Sequence, residues 1–237
     1  MLRPGPDNVF RAAIFDGLNW LDHGFGGTRA GNWVKEEPAA TLSQIHSDIV
    51  VRAEEDTGCL GKGDALVTDR HGTWLVVRTA DCVPVILADP VRQIVAVVHA
   101  GWRGTVKGVL ERTIDALCVE FATCVSDLRV ALGPSIGPCC FEVGPEVARE
   151  FQNWFPERSD LDRRTRVDLG EALRRQLVAR GVEPCRIGAA GVCTKCEAGE
   201  FESYRRDGGR AGRMVTAVRI GSENTKGADR SPRLVTR

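Results

Sequence analysis

The sequence predicts a single α+β domain over residues 1–220, built from many short strands and three or four helices. Three observations predict it. Two neighbouring apolar runs, residues 83–87 and 94–98, have the length and β-branched content of buried strands and are separated by a break at Pro90. A helical pattern follows at once, with Val106, Leu110, Ile114, Leu117 and Phe121 on one face of a helix over about residues 105–122. No repeat, low-complexity block or linker interrupts the chain before residue 221, and 237 residues are enough for one substantial core.

The remaining elements follow in order. Residues 1–34 hold a short apolar run and then a glycine-rich loop, 23–31, with Arg29 as its one basic residue. Residues 35–43 read as polar linker. Residues 44–52 alternate as a strand, which puts His46 in mid-strand. Residues 54–62 read as a loop, 63–69 as a short element and 74–78 as a strand. Beyond the helix come a strand at 128–132, a loop at 133–145 shaped by three prolines and three glycines, and a helix near 145–155. Asp168 followed three residues later by Glu171 reads as a capping box for a helix over 169–180, stopped at Gly181. A strand at 186–192, a basic polar loop at 193–212 and a strand at 214–220 close the domain. Residues 221–237 are polar without periodicity and read as a disordered tail.

Composition narrows the function. Lys+Arg and Asp+Glu balance at 32 each, so no overall field draws the protein to nucleic acid or to an anionic membrane. No stretch of about 18 apolar residues offers a membrane span. Pro4, Pro6, Asp7, Asp16 and Asp22 break the N-terminal region, which lacks the apolar centre of a signal peptide. The nine cysteines are odd in number and read as buried thiols, ligands or a nucleophile rather than a disulfide framework, and the expected location is the cytoplasm.

Cys82 opens the first apolar run and His99 closes the second, so pairing of the two strands would bring them together. With His46 they supply two imidazoles and a thiolate, donors suited to zinc or copper, and leave a fourth coordination position open. Such a site acidifies a bound water. The competing reading of the same residues is a Cys82 nucleophile with His99 as its base. Arg103 lies in the glycine turn after His99, and Arg205 and Arg206 lie in an arginine-rich glycine loop; guanidinium groups there would suit a phosphate. His71 reads as solvent-exposed, and His23 as structural or functional. Cys193-Thr-Lys-Cys196 reads as two structural thiols, Cys139 and Cys140 as adjacent residues ill placed to chelate together, and Cys118 as core. Cys59, Cys124 and Cys185 have no evident role.

Several blocks carry a resemblance. Gln44-Ile-His-Ser, Gly63-Asp-Ala-Leu-Val-Thr, Thr79-Ala-Asp-Cys-Val-Pro, Val98-His-Ala-Gly-Trp-Arg-Gly-Thr105 and Gly133-Pro-Ser-Ile-Gly-Pro-Cys-Cys-Phe-Glu-Val-Gly144 resemble the signature blocks of the YfiH/laccase-domain family. His23-Gly-Phe-Gly-Gly-Thr-Arg29, Cys193-Thr, Ser203-Tyr-Arg-Arg-Asp-Gly208 and Gly212-Arg213 extend the resemblance over about residues 22–220. It implies layered β-sheets flanked by helices, with His46, Cys82 and His99 as ligands of Zn2+ or Cu2+. It also implies phosphorolysis of adenosine, inosine and methylthioadenosine to base and ribose 1-phosphate, with adenosine deamination and copper-dependent polyphenol oxidation as further activities. On that reading Arg29, Gln44, Asp64, Arg205 and Arg206 bind substrate or phosphate, while Asp81 and Arg103 join Cys82 and His99 in catalysis; Asp81 or Asp64 would shuttle a proton. The partners are purine nucleosides and inorganic phosphate. Four histidines are too few for a blue-copper laccase. The chain departs from the family at Gly26-Gly27, where a Ser- or Thr-like residue is usual, and at Glu202, where an aromatic is usual; Cys196 is not part of the resemblance.

Two rival functions remain open from the residues alone. One is a Cys82/His99 cysteine amidohydrolase acting on cell-wall precursors. The other is a non-enzymatic regulatory protein stabilised by a metal.

Overall fold

The computed structural model describes residues 1–5, 7–34, 39–54 and 57–221. Its strands are β1 (Leu2–Pro4), β2 (Val9–Ala12), β3 (Leu21–Gly26), β4 (Ala39–Ser43), β5 (Val50–Arg52), β6 (Gly58–Lys62), β7 (Ala65–Thr68), β8 (Trp74–Thr79), β9 (Val83–Asp89), β10 (Ile94–Ala100), β11 (Arg129–Leu132), β12 (Glu142–Val143), β13 (Thr165–Arg166), β14 (Ile187–Ala189) and β15 (Met214–Ile220). The helices are α1 (Trp102–Lys107), α2 (Val109–Phe121), α3 (Pro145–Ala148), α4 (Leu169–Ala179) and α5 (Tyr204–Asp207).

The two apolar runs form the predicted antiparallel pair, β9 against β10, with His99 opposite Pro84 and Ala100 opposite Val83. They lie inside a six-stranded sheet ordered β14-β11-β9-β10-β7-β5. Every residue of both strands is buried, because the sheet is covered on both faces. Alternate side chains divide between two cores. Ile86, Val95 and Val97 meet Leu75, Val77 and Val218 of a seven-stranded sheet ordered β1-β2-β3-β15-β8-β4-β6. Val85, Leu87, Ala96 and Val98 meet Leu110, Ile114 and Leu117 of α2 and Leu173 and Leu177 of α4. The result is a sheet–sheet–helix stack in which truncating Ile86 or Ile114 to Ala would cost about 2–5 kcal/mol.

Several sequence expectations change. The helix over 105–122 is two helices. Gly108 sits at φ 84°, where its N–H closes α1 onto Gly104 and Thr105 before α2 starts. The expected strand at 44–52 is only β5; residues 44–49 form a loop, and His46 has a left-handed φ of 57°. The expected linker contains β4, and the expected loop at 54–62 contains β6. His23 lies within β3, so the glycine-rich loop starts only at Gly27. The helix near 145–155 reduces to α3 and one 3-10 turn at Arg149–Phe151. Asp168 caps α4 by accepting from Glu171 N, while the Glu171 carboxylate binds Arg174 and Arg175 and does not complete a capping box. Beyond Gly221, the tail expectation lies outside the described residues, as do residues 35–38 of the linker. Among the described residues, no helix is long and apolar enough to cross a membrane.

Candidate functional site

Asp64 organises the site. It precedes β7, is fully buried, and gathers the 45–47 loop around its carboxylate. Ile45, His46 and Ser47 each donate a backbone N–H to it, at 3.3, 3.0 and 2.6 Å, and the Ser47 hydroxyl donates at 2.6 Å. The same carboxylate lies 2.8 Å from His99 Nδ1, at the end of β10. Burial works against this charge, but hydrogen bonds from His99 and Ser47 outweigh it and hold the carboxyl well below the usual range. A carboxylate at Nδ1 puts a proton there and turns Nε2 towards the other ligand-type residues.

Cys82 lies in the turn before β9, with its Sγ 3.9 Å from His46 Nε2. The His46 and His99 rings meet edge-on, with centroids 4.9 Å apart. One donor atom from each of His46, Cys82 and His99 lies within 4.8 Å of the other two. Gly101 permits this approach, since a Cβ there would come within 2.8 Å of both Cys82 Sγ and His46 Cδ2. Burial raises the Cys82 thiol, yet its contacts with His46 and His99 bring it down to about 7. Burial opposes charge on His99 too, but Asp64 and Cys82 lift it to about 9. Two imidazoles and a readily ionised thiol, one imidazole backed by a carboxylate, fit a zinc-type cation.

The cluster opens into a cavity of about 670 Å³. Arg78, Arg103, Arg205 and Arg213 line it, and among the described residues Asp81 is its one carboxylate. Trp102, Phe141 and Tyr204 contribute aromatic surface. Arg103 lies over the Trp102 ring at 4.3 Å, and Arg205 lies over Phe141 at 5.4 Å while donating to Glu142 O. Such a chamber suits a ligand with both a flat ring and an anionic group.

Not every residue singled out from sequence reaches this cavity. Gln44 does, but its amide is engaged at both ends with the backbone of Arg78, at 2.8 Å each. Asp81 does as well, but at φ 85° its two oxygens accept from the Thr194 hydroxyl and from Arg205 N, both at 2.6 Å. Asp81 thereby links two walls of the cavity through Thr194 and Arg205. Asp64 lies behind His99, away from the cavity lining, so it orients the imidazole where substrate contact was expected. Arg29 is exposed and pairs with Glu200, outside the lining. Arg206 turns away to the carbonyls of Thr194, Lys195 and Phe201. Arg78 and Arg213 complete the basic lining: Arg78 is next to last in β8, four residues before Cys82, and Arg213 closes the arginine-rich glycine loop.

The other features resolve in similar terms. His23 Nε2 accepts from Ala12 N, a structural role, and exposed His71 meets Gly221 O. At the Gly27 departure there is no room for a side chain, since a Cβ would lie 2.4 Å from Asn8 Oδ1. Glu202, the other departure, accepts from Gly212 N and is not in the cavity lining. Cys139 and Cys140, expected to be ill placed to chelate together, lie in a turn and converge with Cys193 and Cys196.

Fold and site together define an α+β protein with two large stacked sheets and a His2Cys centre of metal-binding type at the floor of a basic cavity. The chain belongs to the family described as multi-copper polyphenol oxidoreductase laccase, whose sequence profile matches residues 28–221. It is 36% identical over 190 residues to a purine nucleoside phosphorylase of Clostridium acetobutylicum, covering 79% of each chain. It is 40% identical over 171 residues to adenosine deaminase RL5 of an unknown prokaryotic organism, covering 70% of this chain and 65% of that one. Among solved structures, YlmD from Geobacillus stearothermophilus superposes with a TM-score of 0.84 at 27% identity, covering 93% of this chain and 99% of the other.

Proposed function

We propose that the protein is a purine nucleoside phosphorylase that cleaves adenosine, inosine and methylthioadenosine with inorganic phosphate. One observation carries the reading: a single cavity joins the His46, Cys82 and His99 cluster to four arginines and aromatic walls. Relatives named purine nucleoside phosphorylase and adenosine deaminase support the same substrate class. In phosphorolysis, phosphate attacks the anomeric carbon and the base departs with the bonding electron pair and takes up a proton, giving ribose 1-phosphate, or its 5-methylthio analogue from methylthioadenosine. The roles follow from the cavity. Arg103 and Arg205, with Arg78 and Arg213, hold the phosphate dianion, whose negative charge offsets the positive charge developing on the sugar in an oxocarbenium-like transition state. Phe141 and Tyr204 supply stacking surface for the purine. His46, Cys82 and His99 would hold Zn2+ or Cu2+, and a bound metal supplies Lewis acidity and an activated water, the chemistry needed for adenosine deamination as a side activity. With Cu2+ held by the same three residues and dioxygen as terminal oxidant, weak phenol oxidation would be a further side activity.

The test is release of free base from inosine and adenosine with and without phosphate. Phosphate-dependent release supports the proposal, and base release indifferent to phosphate overturns it. One observation favours a second reading. Cys82, His99 and Asp64 also form a thiol, base and orienting carboxylate in sequence, the arrangement of a cysteine hydrolase. Inactivation by thiol alkylation with indifference to chelators would favour that reading.

A further inference from the structure

Outside the cavity, four thiols converge that none of the chemistry above uses. Cys139 and Cys140 occupy one turn, where Cys140 N and Phe141 N both bond to Gly137 O. Cys193 and Cys196 occupy another, where Cys196 N and Glu197 N both bond to Cys193 O. The turns face each other, joined by the Ser135–Cys193 bridge and by Thr194 N to Ser135 O at 3.0 Å. Gly137 makes the approach possible, because a Cβ there would press on Cys193 Cβ at 3.2 Å. The four sulfurs lie within 4.8 Å of one another. Cys196 Sγ is 3.5 Å from Cys140 Sγ and 3.7 Å from Cys139 Sγ.

The geometry points to a second metal centre, a structural Zn(Cys)4 site formed by Cys139, Cys140, Cys193 and Cys196. Four sulfurs at a tetrahedral zinc, with Zn–S of about 2.3 Å, stand about 3.8 Å apart, close to the separations observed. A four-iron cluster needs a wider spread of sulfurs, so the site takes a single soft divalent cation. Cys193-Thr-Lys-Cys196 has the spacing found in structural zinc sites, and the 137–141 turn compensates for the adjacency of Cys139 and Cys140. The Gly137 N–H donates to Cys193 Sγ at 3.2 Å and favours its thiolate. Each ligating thiol releases its proton to solvent on binding.

Such a centre would brace the catalytic cavity from behind. Cys140 adjoins Phe141, a cavity wall. Cys193 adjoins Thr194, which donates to Asp81, and Asp81 in turn holds Arg205 N. The proposal does not depend on the enzymatic reading.

The test uses the full chain in a His46→Ala/Cys82→Ala background, which removes the first cluster as a zinc site. After purification under reducing conditions and dialysis against metal-free buffer, zinc is measured by mass spectrometry. The background variant should retain about one zinc per chain, and adding Cys139→Ser and Cys196→Ser should remove roughly nine-tenths of it. Cobalt in place of zinc should give the absorption of a tetrahedral thiolate site. Should the combined variant fail to fold, Cys139→Ser alone should surrender zinc to a competing chelator at least about tenfold more readily. Absence of zinc from the background variant, or zinc unaffected by the cysteine changes, overturns the proposal. So does a metal-free protein lighter by two hydrogens, which would mean a disulfide between the turns.

Discussion

His46, Cys82 and His99 gather around the mouths of buried strands, whereas the four-cysteine cluster gathers at the tips of two surface turns. The first cluster has mixed donors, a buried carboxylate behind one imidazole and a cavity in front. The second has four like donors drawn from two facing turns, which leaves no coordination position for a substrate. An open, oriented centre suits catalysis, and a closed all-thiolate centre suits stapling. Both clusters depend on glycine at the point of closest approach, Gly101 in one and Gly137 in the other.

The sharpest way to break the comparison is to remove a ligand from each centre. Cys82→Ala should lower adenosine deamination more than about 100-fold, because residues that only orient a metal ligand are already worth roughly 10–100-fold. Cys196→Ser should leave most activity and act chiefly on thermal stability; calorimetry beside initial rates reads both. Equal loss of activity in the two variants would erase the distinction. Arg103→Ala and Arg205→Ala test the cavity itself. Each removes a charge-assisted contact worth about 1.5–3 kcal/mol, so KM for phosphate should rise about 10–100-fold with metal content unchanged. Asp64→Asn should weaken metal binding by about 10–100-fold, measured by competition with a chelator, as expected of a residue that orients a ligand.

A different kind of effect, on stability alone, concerns a histidine that belongs to neither centre. Burial, aided by Arg11, lowers His23 from 6.5 to about 4. The unfolded chain therefore takes up a proton near pH 6.5 that the folded protein refuses until about pH 4. Stability is full above pH 6.5 and falls across that window by about 3 kcal/mol. His23→Gln, which keeps an acceptor for Ala12 N, should flatten this part of the pH–stability curve in urea titrations; an unchanged slope would contradict the assignment.

Legibility in the sequence followed the range of the interactions. β9, β10, β15 and α4 were readable because their signals are local: continuous apolar runs, a capping aspartate and a terminal glycine. The break at Gly108 was missed because the apolar spacing runs on across it. His46, Cys82 and His99 were singled out by residue type and by the likeness to a family, not by their spacing. The roles of Asp64 and Asp81 depend on partners 35 and 113 residues away, His99 and Thr194, which no pattern along the chain displays. The four cysteines escaped for the same reason, with Cys139 and Cys196 separated by 57 positions. Arg29 and Arg206 looked equivalent to Arg103 and Arg205 by charge, and only their carboxylate and carbonyl partners set them apart.

The most direct test of the central claim is phosphorus NMR of purified protein incubated with inosine and phosphate. A ribose 1-phosphate signal should grow in step with hypoxanthine and, at sub-saturating phosphate, fall sharply with Arg103→Ala. Hypoxanthine released with free ribose and an unchanged phosphate signal would contradict it.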